Sequence, residues 1–350
     1  MKLEDLDFPL PEDRVATHPP PRREDARLLV AQPGGGGISH RNFPDLPSLL
    51  ETGDLLVFND TRVVPARFVA RKATGGKVEG LWLADRGPRE AECLLIGNRL
   101  AAGKEFETDS GALRILEDCG KGRWILVSPA GLSWREFLQQ SGRPPLPPYI
   151  LGRRRALGEP EESEEDALRY QTIWAEGPGS VAAPTASLHF DEGVLGALKE
   201  AEIGSVRLTL EVGPGTFLPV DSERVEDHSM HAEKYEVSSE TEEAIAETRS
   251  GGGRVVAVGT TVCRVLETLA HGGPSSGETD LFILPGHQFR GVDALLTNFH
   301  TPRSTLLGLV GAFASHLGAG DGLRWVKSCY REAIEEGYRF YSYGDCSLWK

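Results

Sequence analysis

Apolar residues recur along the chain with two different periods, and the changes of period divide it into regions. From about 69 to 128 the apolar runs are brief and separated by Gly, Asp and Arg: KVEGLWLA, ECLLIG, ALRILE and RWILVS. Helical spacing is nearly absent there, so several short, turn-punctuated strands predict an antiparallel barrel or sandwich. Farther along the texture alternates. DEGVLGALKEA, SSETEEAIAETRS, TTVCRVLETLA, STLLGLVGAFASHL and GLRWVKSCYREAIEEG have helical spacing, whereas SVRLTLEV, RVVAVG, LFIL and ALLTNF are apolar runs of strand length. Strands separated by helices of ten or more residues imply βαβ units and a mainly parallel sheet covered on both faces, an α/β three-layer sandwich. EDARLLVA at 24–31 and LLVF at 55–58 add strands near the N-terminus.

The β-rich stretch therefore reads as a domain inserted at 69–132 into a discontinuous α/β domain made of 1–68 and 133–350. Ser133-Trp-Arg-Glu136 has capping-box spacing and starts a helix on the far side of the insertion. RPPLPPYI at 143–150 predicts a rigid linker, because its prolines fix φ and exclude helix. GGGG at 34–37 predicts a turn or flexible loop. Near the C-terminus, Thr301 is placed to cap a helix with Pro302 at its first position, leaving backbone donors free at that end.

Composition narrows the classes. With 39% hydrophobic and 26% charged residues the chain resembles an ordinary globular protein. No run approaches the ~18 apolar residues of a membrane span, and MKLEDLDFPLPEDR lacks the apolar centre of a signal peptide, so a cytoplasmic protein without membrane association is expected. The five cysteines are irregularly spaced, with no C-x-x-C pair, and read as reduced and mostly buried. A net charge of -14 argues against indiscriminate nucleic-acid binding, which depends on Lys and Arg displacing counterions. The charge is uneven, however: Glu159, Glu161, Glu162, Glu164, Glu165 and Asp166 follow the basic run Arg153-Arg154-Arg155. Arg62, Arg67, Arg71, Lys72 and Lys77 form a second basic cluster that can serve as a basic face.

In open parallel sheets, ligands bind beyond the carboxyl ends of the strands, so polar and glycine-rich segments there are site candidates. Asn59-Asp60-Thr61-Arg62, APTASLHF (183–190), EVGPGTFLPV (211–220), VGTT (258–261), Pro285-Gly286 and Asn298-Phe299-His300 satisfy that condition. Gly213-Pro-Gly215-Thr216 is followed by Leu218 rather than a third glycine, and no G-x-x-x-x-G-K-[ST] occurs, so dinucleotide and phosphate-loop chemistry lack support. Ser187 and His189 lack a G-x-S-x-G elbow, which discounts a serine hydrolase. His228 and His231 could ligate a metal with His189 or His300, but two histidines three apart equally describe a surface pair.

Several of these blocks resemble one family. TDLFILPG, VDALLTNFH and PRSTLL, together with GDLLVFNDTRVVPARF, PLPPYI, APTASLHF and Met230-His231-Ala-Glu233-Lys-Tyr235, are similar to the signatures of the S-adenosylmethionine:tRNA ribosyltransferase-isomerases of queuosine biosynthesis. The resemblance implies a small β-barrel set into an α/β domain. It implies transfer of the ribosyl part of S-adenosylmethionine to 7-aminomethyl-7-deazaguanine at the wobble position of tRNA, isomerisation to an epoxycyclopentane, and loss of adenine and methionine. The expected partners are S-adenosylmethionine as co-substrate and tRNA with a GUN-type anticodon; no cofactor and no metal is expected, and the chain is expected to act as a monomer. Such chemistry needs a base beside the sulfonium and a dry pocket. His189, His231 and Glu233 are the candidate bases. Asn59, Asp60, Thr61, Arg62, Pro184, Thr185, Phe190, Gly213, Gly215, Thr216, Phe217, Gly259, Thr260, Thr261, Pro285, Gly286, Asp293, Asn298, Phe299 and His300 are the candidate substrate-binding residues. The chain departs from the family pattern at Ser187, where glycine is usual, at Val262-Cys263, at GNRL (97–100) and in its long acidic loop. A metal-dependent hydrolase and a non-catalytic RNA-binding protein are the alternatives.

Overall fold

The computed structural model describes all residues except 214, 216–221 and 229, and does not describe the side chain at 178. The chain begins with β1 (Arg27–Gln32), β2 (Gly37–Asn42), α1 (Leu46–Leu49), β3 (Leu55–Asn59) and β4 (Thr61–Val63). It then forms six strands, β5 (Arg67–Arg71), β6 (Lys77–Asp85), β7 (Glu90–Ile96), β8 (Glu105–Thr108), β9 (Gly111–Gly120) and β10 (Arg123–Val127), which close into an antiparallel barrel in the order β10-β7-β6-β5-β8-β9. Phe68, Val78, Cys93, Phe106, Ile115 and Leu126 fill it, and Trp134, Phe137 and Leu138 of α2 (Trp134–Ser141) join the same cluster. Ser133 caps α2 through the Glu136 N–H, with the reciprocal Glu136 bond that the capping-box spacing predicts.

The remainder comprises α3 (Pro148–Ala156), α4 (Glu164–Arg169), β11 (Gly177–Ser180), α5 (Glu192–Glu200), β12 (Gly204–Leu210), β13 (Glu233–Glu236), α6 (Ser239–Ser250), β14 (Val255–Val258), α7 (Thr260–Ala270), β15 (Ser276–Thr279), β16 (Ala294–Asn298), α8 (Thr305–His316), α9 (Gly322–Glu335) and β17 (Cys346–Trp349). A nine-stranded sheet runs β15-β13-β12-β3-β14-β16-β17-β1-β2. Its four central strands, β12, β3, β14 and β16, are mutually parallel, and antiparallel pairings lie toward the edges. Every residue of β3, β14 and β16 is buried, as expected for strands covered on both faces. Their side chains alternate between two cores. Val57, Val255, Ala257 and Leu295 face the cluster built with α7, α8 and α9, while Leu56, Phe58, Val256, Val258, Ala294 and Leu296 face the one built with α1 and α5. This is the expected three-layer α/β arrangement.

Several local expectations are corrected. Leu281–Leu284 is not a strand: Ile283 buries its side chain in the core, but the Leu281 carbonyl accepts from Arg264 Nε (2.9 Å) and the Leu284 carbonyl from the His287 N–H (3.0 Å), while the neighbouring strand is β15. Pro302 does not open α8. Arg303 adopts φ 60°, which interrupts helical geometry, and Ser304 caps the helix by accepting from the Leu306 N–H at 3.2 Å. Proline does open α3, at Pro148, inside the stretch expected to be a linker, because proline's fixed φ suits a first helical turn. The basic cluster is partly consumed by ion pairs. Arg67 is buried and pairs with Glu79 (3.3 Å), Glu161 (2.9 Å) and Glu162, and Lys77 pairs with Glu79 (2.7 Å), so the acidic loop neutralises side chains expected to form a basic face. Among the described residues, no helix is long and apolar enough to cross a membrane.

Candidate functional site

The carboxyl ends of β3, β12, β14 and β16 lie on one side of the sheet, because these strands run parallel. A cavity of about 650 Å³ opens there, within the range of ~300–1,000 Å³ usual for small-molecule sites. Pro184 and Thr185 contribute from the segment after β11, Gly259, Thr260 and Thr261 from the start of α7, and Asn298, Phe299 and His300 from the end of β16. Gly215, His231 and Glu233 also line it. The structure thus draws together side chains more than 100 positions apart in the chain.

Glu233 begins β13 and is buried, and its charge is matched. Oε2 lies 2.5 Å from Arg264 Nη1, and Oε1 accepts from the Gly213 N–H at 3.3 Å. Arg264, also buried, donates through Nε to Leu281 O and through Nη2 to Thr279 O, which fixes its fork against the cavity wall. His231, two residues earlier, is exposed at the cavity. A Cβ at Gly215 would come within 2.4 Å of His231 Cδ2, so the absence of a side chain there makes room for the imidazole.

Gly259 precedes α7 with φ 101°, a conformation that disfavours any residue with a Cβ. Its N–H donates to Leu296 O (2.8 Å), tying the turn to β16. Since the helix has no side-chain cap, the backbone donors of its first turn remain available beside Thr260 and Thr261.

Asn298 sits between the cavity and a buried histidine. Its Nδ2 donates to His189 Nε2 (3.2 Å) and Tyr341 O (3.2 Å). His189 Nε2 is therefore an acceptor, and the ring proton resides on Nδ1. Burial lowers the His189 pKa to about 3, aided by Arg339 and Arg23, so the ring is neutral at physiological pH. His300, on the cavity wall, is likewise lowered to about 4 by burial, and its Nε2 lies 3.1 Å from Thr297 Oγ1.

The sequence candidates separate into those that line the hollow and those behind it. His189 does not line it; it accepts from Asn298, which does. Phe190 belongs to an aromatic cluster with Phe43, Phe58 and Trp174. Asn59 is fully buried and joins strands: its Oδ1 accepts from the Thr61 and Leu210 N–H groups, both at 3.0 Å, and its Nδ2 donates to Leu210 O. Asp60 accepts from Thr209 Oγ1 (2.7 Å), burial raises its pKa, Thr61 Oγ1 meets Ser180 Oγ (2.7 Å), and Arg62 is exposed. Gly213 reaches the wall through its bond to Glu233. Pro285 and Gly286 form a turn away from the lining, and Asp293 lies at the opposite end of the sheet, accepting from the Val255 N–H where β14 begins. Thr216 and Phe217 lie outside the described residues. Ser187 is buried, and its Oγ has no partner among the described residues.

Many lining residues escaped the sequence-based list, among them Tyr149, Arg264, Thr297, Arg303 and Tyr341. Tyr149, which bonds Ser342 Oγ (2.6 Å), and Arg303 stand within the quoted PLPPYI and PRSTLL blocks, so those motifs could have supplied them. Thr297 directly precedes the Asn298 candidate, whereas Arg264 and Tyr341 carried no signal, because a helix interior and a C-terminal turn reach the cavity only through the fold.

A family model described as "Queuosine biosynthesis protein" matches residues 3–349. An S-adenosylmethionine:tRNA ribosyltransferase-isomerase of Anaeromyxobacter dehalogenans is 48% identical over 356 residues, covering 99% of each chain. The protein of the same name from Rubrobacter xylanophilus is 44% identical, covering 99% of this chain and 97% of its own. Among solved structures, the S-adenosylmethionine tRNA ribosyltransferase of Thermotoga maritima is 33% identical with a TM-score of 0.54, covering 99% of this chain and 100% of that one.

Proposed function

The chain belongs to the queuosine biosynthesis protein family, and from that membership and the cavity we infer that it is an S-adenosylmethionine:tRNA ribosyltransferase-isomerase. The observation that carries this is agreement along the whole chain with relatives of that name. The metal-dependent hydrolase and the non-catalytic RNA-binding protein are not favoured.

In finer detail, the proposal is that ribose from S-adenosylmethionine passes to the amine of 7-aminomethyl-7-deazaguanine in a tRNA with a GUN-type anticodon. Carbon–nitrogen bond formation to the base amine, loss of adenine and departure of methionine leave an epoxycyclopentane on the tRNA. The proposal includes a monomeric enzyme with S-adenosylmethionine as co-substrate and without a further cofactor. A volume of about 650 Å³ can hold a sulfonium nucleoside beside an extruded base.

His231 is the proposed proton acceptor beside the sulfonium. Its support is accessibility: Glu233 is engaged by Arg264, and His189 stands behind Asn298. We assign Glu233 and Arg264 to holding the wall, and His189 to orienting the Asn298 amide. The unprotonated rings of His189 and His300 add no positive charge near a cationic substrate. The decisive assay mixes the protein with S-adenosylmethionine and tRNA bearing the deazaguanine precursor and follows adenine release by chromatography. Adenine release that requires both substrates is expected; binding of tRNA with no consumption of S-adenosylmethionine would overturn the assignment.

A further inference from the structure

A second cluster of potential ligand atoms lies outside the cavity lining, on α7 and the segment after β15. Glu267 is fully buried, and among the described residues its ion-pair partners are the side chains of His271 and His287, with no Lys or Arg side chain within ion-pair distance. Both imidazoles present Nε2 to the same carboxylate oxygen, His287 at 3.0 Å and His271 at 3.6 Å from Oε2. The other oxygen, Oε1, accepts from the Gly291 N–H at 2.7 Å, and the Arg290 N–H bridges both oxygens at 3.2 and 3.1 Å. The carboxylate is thus held by backbone, with one oxygen turned to two rings.

We propose that Glu267, His271 and His287 form a binding site for one divalent transition-metal ion of the zinc class. Spacing supplies the first reason. Tetrahedral zinc with bonds of ~2.0–2.1 Å places neighbouring ligand atoms about 3.3 Å apart. The two carboxylate-to-imidazole distances, 3.0 and 3.6 Å, bracket that value, and all three ligand atoms lie within 4.8 Å of one another. Local chemistry supplies the second. Two imidazoles and one carboxylate suit zinc, nickel or copper better than magnesium or calcium, which favour all-oxygen shells. Access supplies the third: the side chains of His271 and His287 are 35% and 13% exposed, so an ion can arrive from solvent. Gln288 O, 3.1 Å from His271 Nε2, or a water can provide a fourth ligand.

On binding, the hydrogen bond between His287 Nε2 and Glu267 gives way to a metal bond at each atom, and the ring proton moves to Nδ1. His271 likewise exchanges its Nε2 hydrogen bond to Gln288 O for a metal bond, its ring proton moving to Nδ1. The carboxylate and both imidazoles remain chemically unchanged, so no redox step is involved. Because none of the three residues lines the cavity, the ion would be structural. It would fasten α7, which delivers Gly259 to Thr261 and Arg264 to the cavity, to the segment around His287.

Untagged, chelator-treated protein titrated calorimetrically with zinc chloride tests the site. Wild type and a His316→Ala control should bind one zinc per chain, whereas His271→Ala and His287→Ala should each bind at least tenfold more weakly. Zinc should raise the melting temperature of wild type and not of the His271→Ala/His287→Ala double variant. Cobalt added to wild type should give the intense visible bands of tetrahedral coordination, a readout that needs no variant to fold. No zinc uptake, equal uptake by the double variant, or only weak octahedral cobalt bands would overturn the proposal. Adenine release by His271→Ala should stay near wild type, which separates the fate of this site from that of the assigned activity.

Discussion

Protonation of His189 should make the fold acid-sensitive well above the range where carboxylates titrate. Burial lowers this ring's pKa from 6.5 to about 3, so below pH 6.5 the unfolded chain takes up a proton that the folded chain refuses. The stabilisation is therefore fully present above the unfolded pKa and is lost as pH falls toward the folded one. Between about pH 7.5 and about pH 5, the difference in proton uptake amounts to about 2 kcal/mol for a shift of this size. His300, lowered to about 4, adds a loss of similar size over the same window. The lowered carboxylates of Asp54 and Asp166 start from 3.8 and lose most of their contribution at lower pH, and comparing wild type with a His189 variant isolates this ring's share from that of the other carboxylates. Urea unfolding followed by tryptophan fluorescence across the window should show wild type losing stability steeply and His189→Gln losing about 2 kcal/mol less. Glutamine can still accept from Asn298 Nδ2, and any constant packing penalty shifts the curve without changing its slope. Parallel curves for the two proteins would refute a buried, neutral His189.

Arg264→Met should destabilise the protein by about 3–5 kcal/mol, because the buried Glu233 carboxylate then lacks its cation. Glu233→Gln should cost less, and chemical denaturation of the two variants measures the contrast. His231→Ala should leave the denaturation midpoint nearly unchanged, since the ring is exposed, while kcat falls about 10²–10⁴-fold and KM for tRNA changes little. Turnover within a few-fold of wild type would remove His231 as the proton acceptor.

The central sheet was legible because its strands are covered on both faces and so read as short unbroken apolar runs, as Leu56, Val57 and Phe58 illustrate by facing opposite layers. The edges were less so. In β2, GISHRN carries one apolar residue, since an edge strand needs little burial, and β17 is only four residues long. LFIL failed for a different reason: an apolar run reports that its side chains are buried, and says nothing of where its carbonyls bond, which here is Arg264 and a turn. The site shows the same division. Glycine and polar residues at the ends of β14 and β16 marked the cavity, but Asn59, Asn298, His189 and His231 have equally functional-looking local sequences. Only packing separates an asparagine that clamps two strands from one that borders the hollow, or a histidine with a lowered pKa behind the wall from one with its ring exposed. Motif text therefore records the residues a site depends on, whereas contact with substrate depends on which side chains the fold leaves uncommitted. By that criterion His231, whose neighbours Gly215 and Glu233 provide room and structure without taking its nitrogens, is the side chain through which proton transfer is most directly tested.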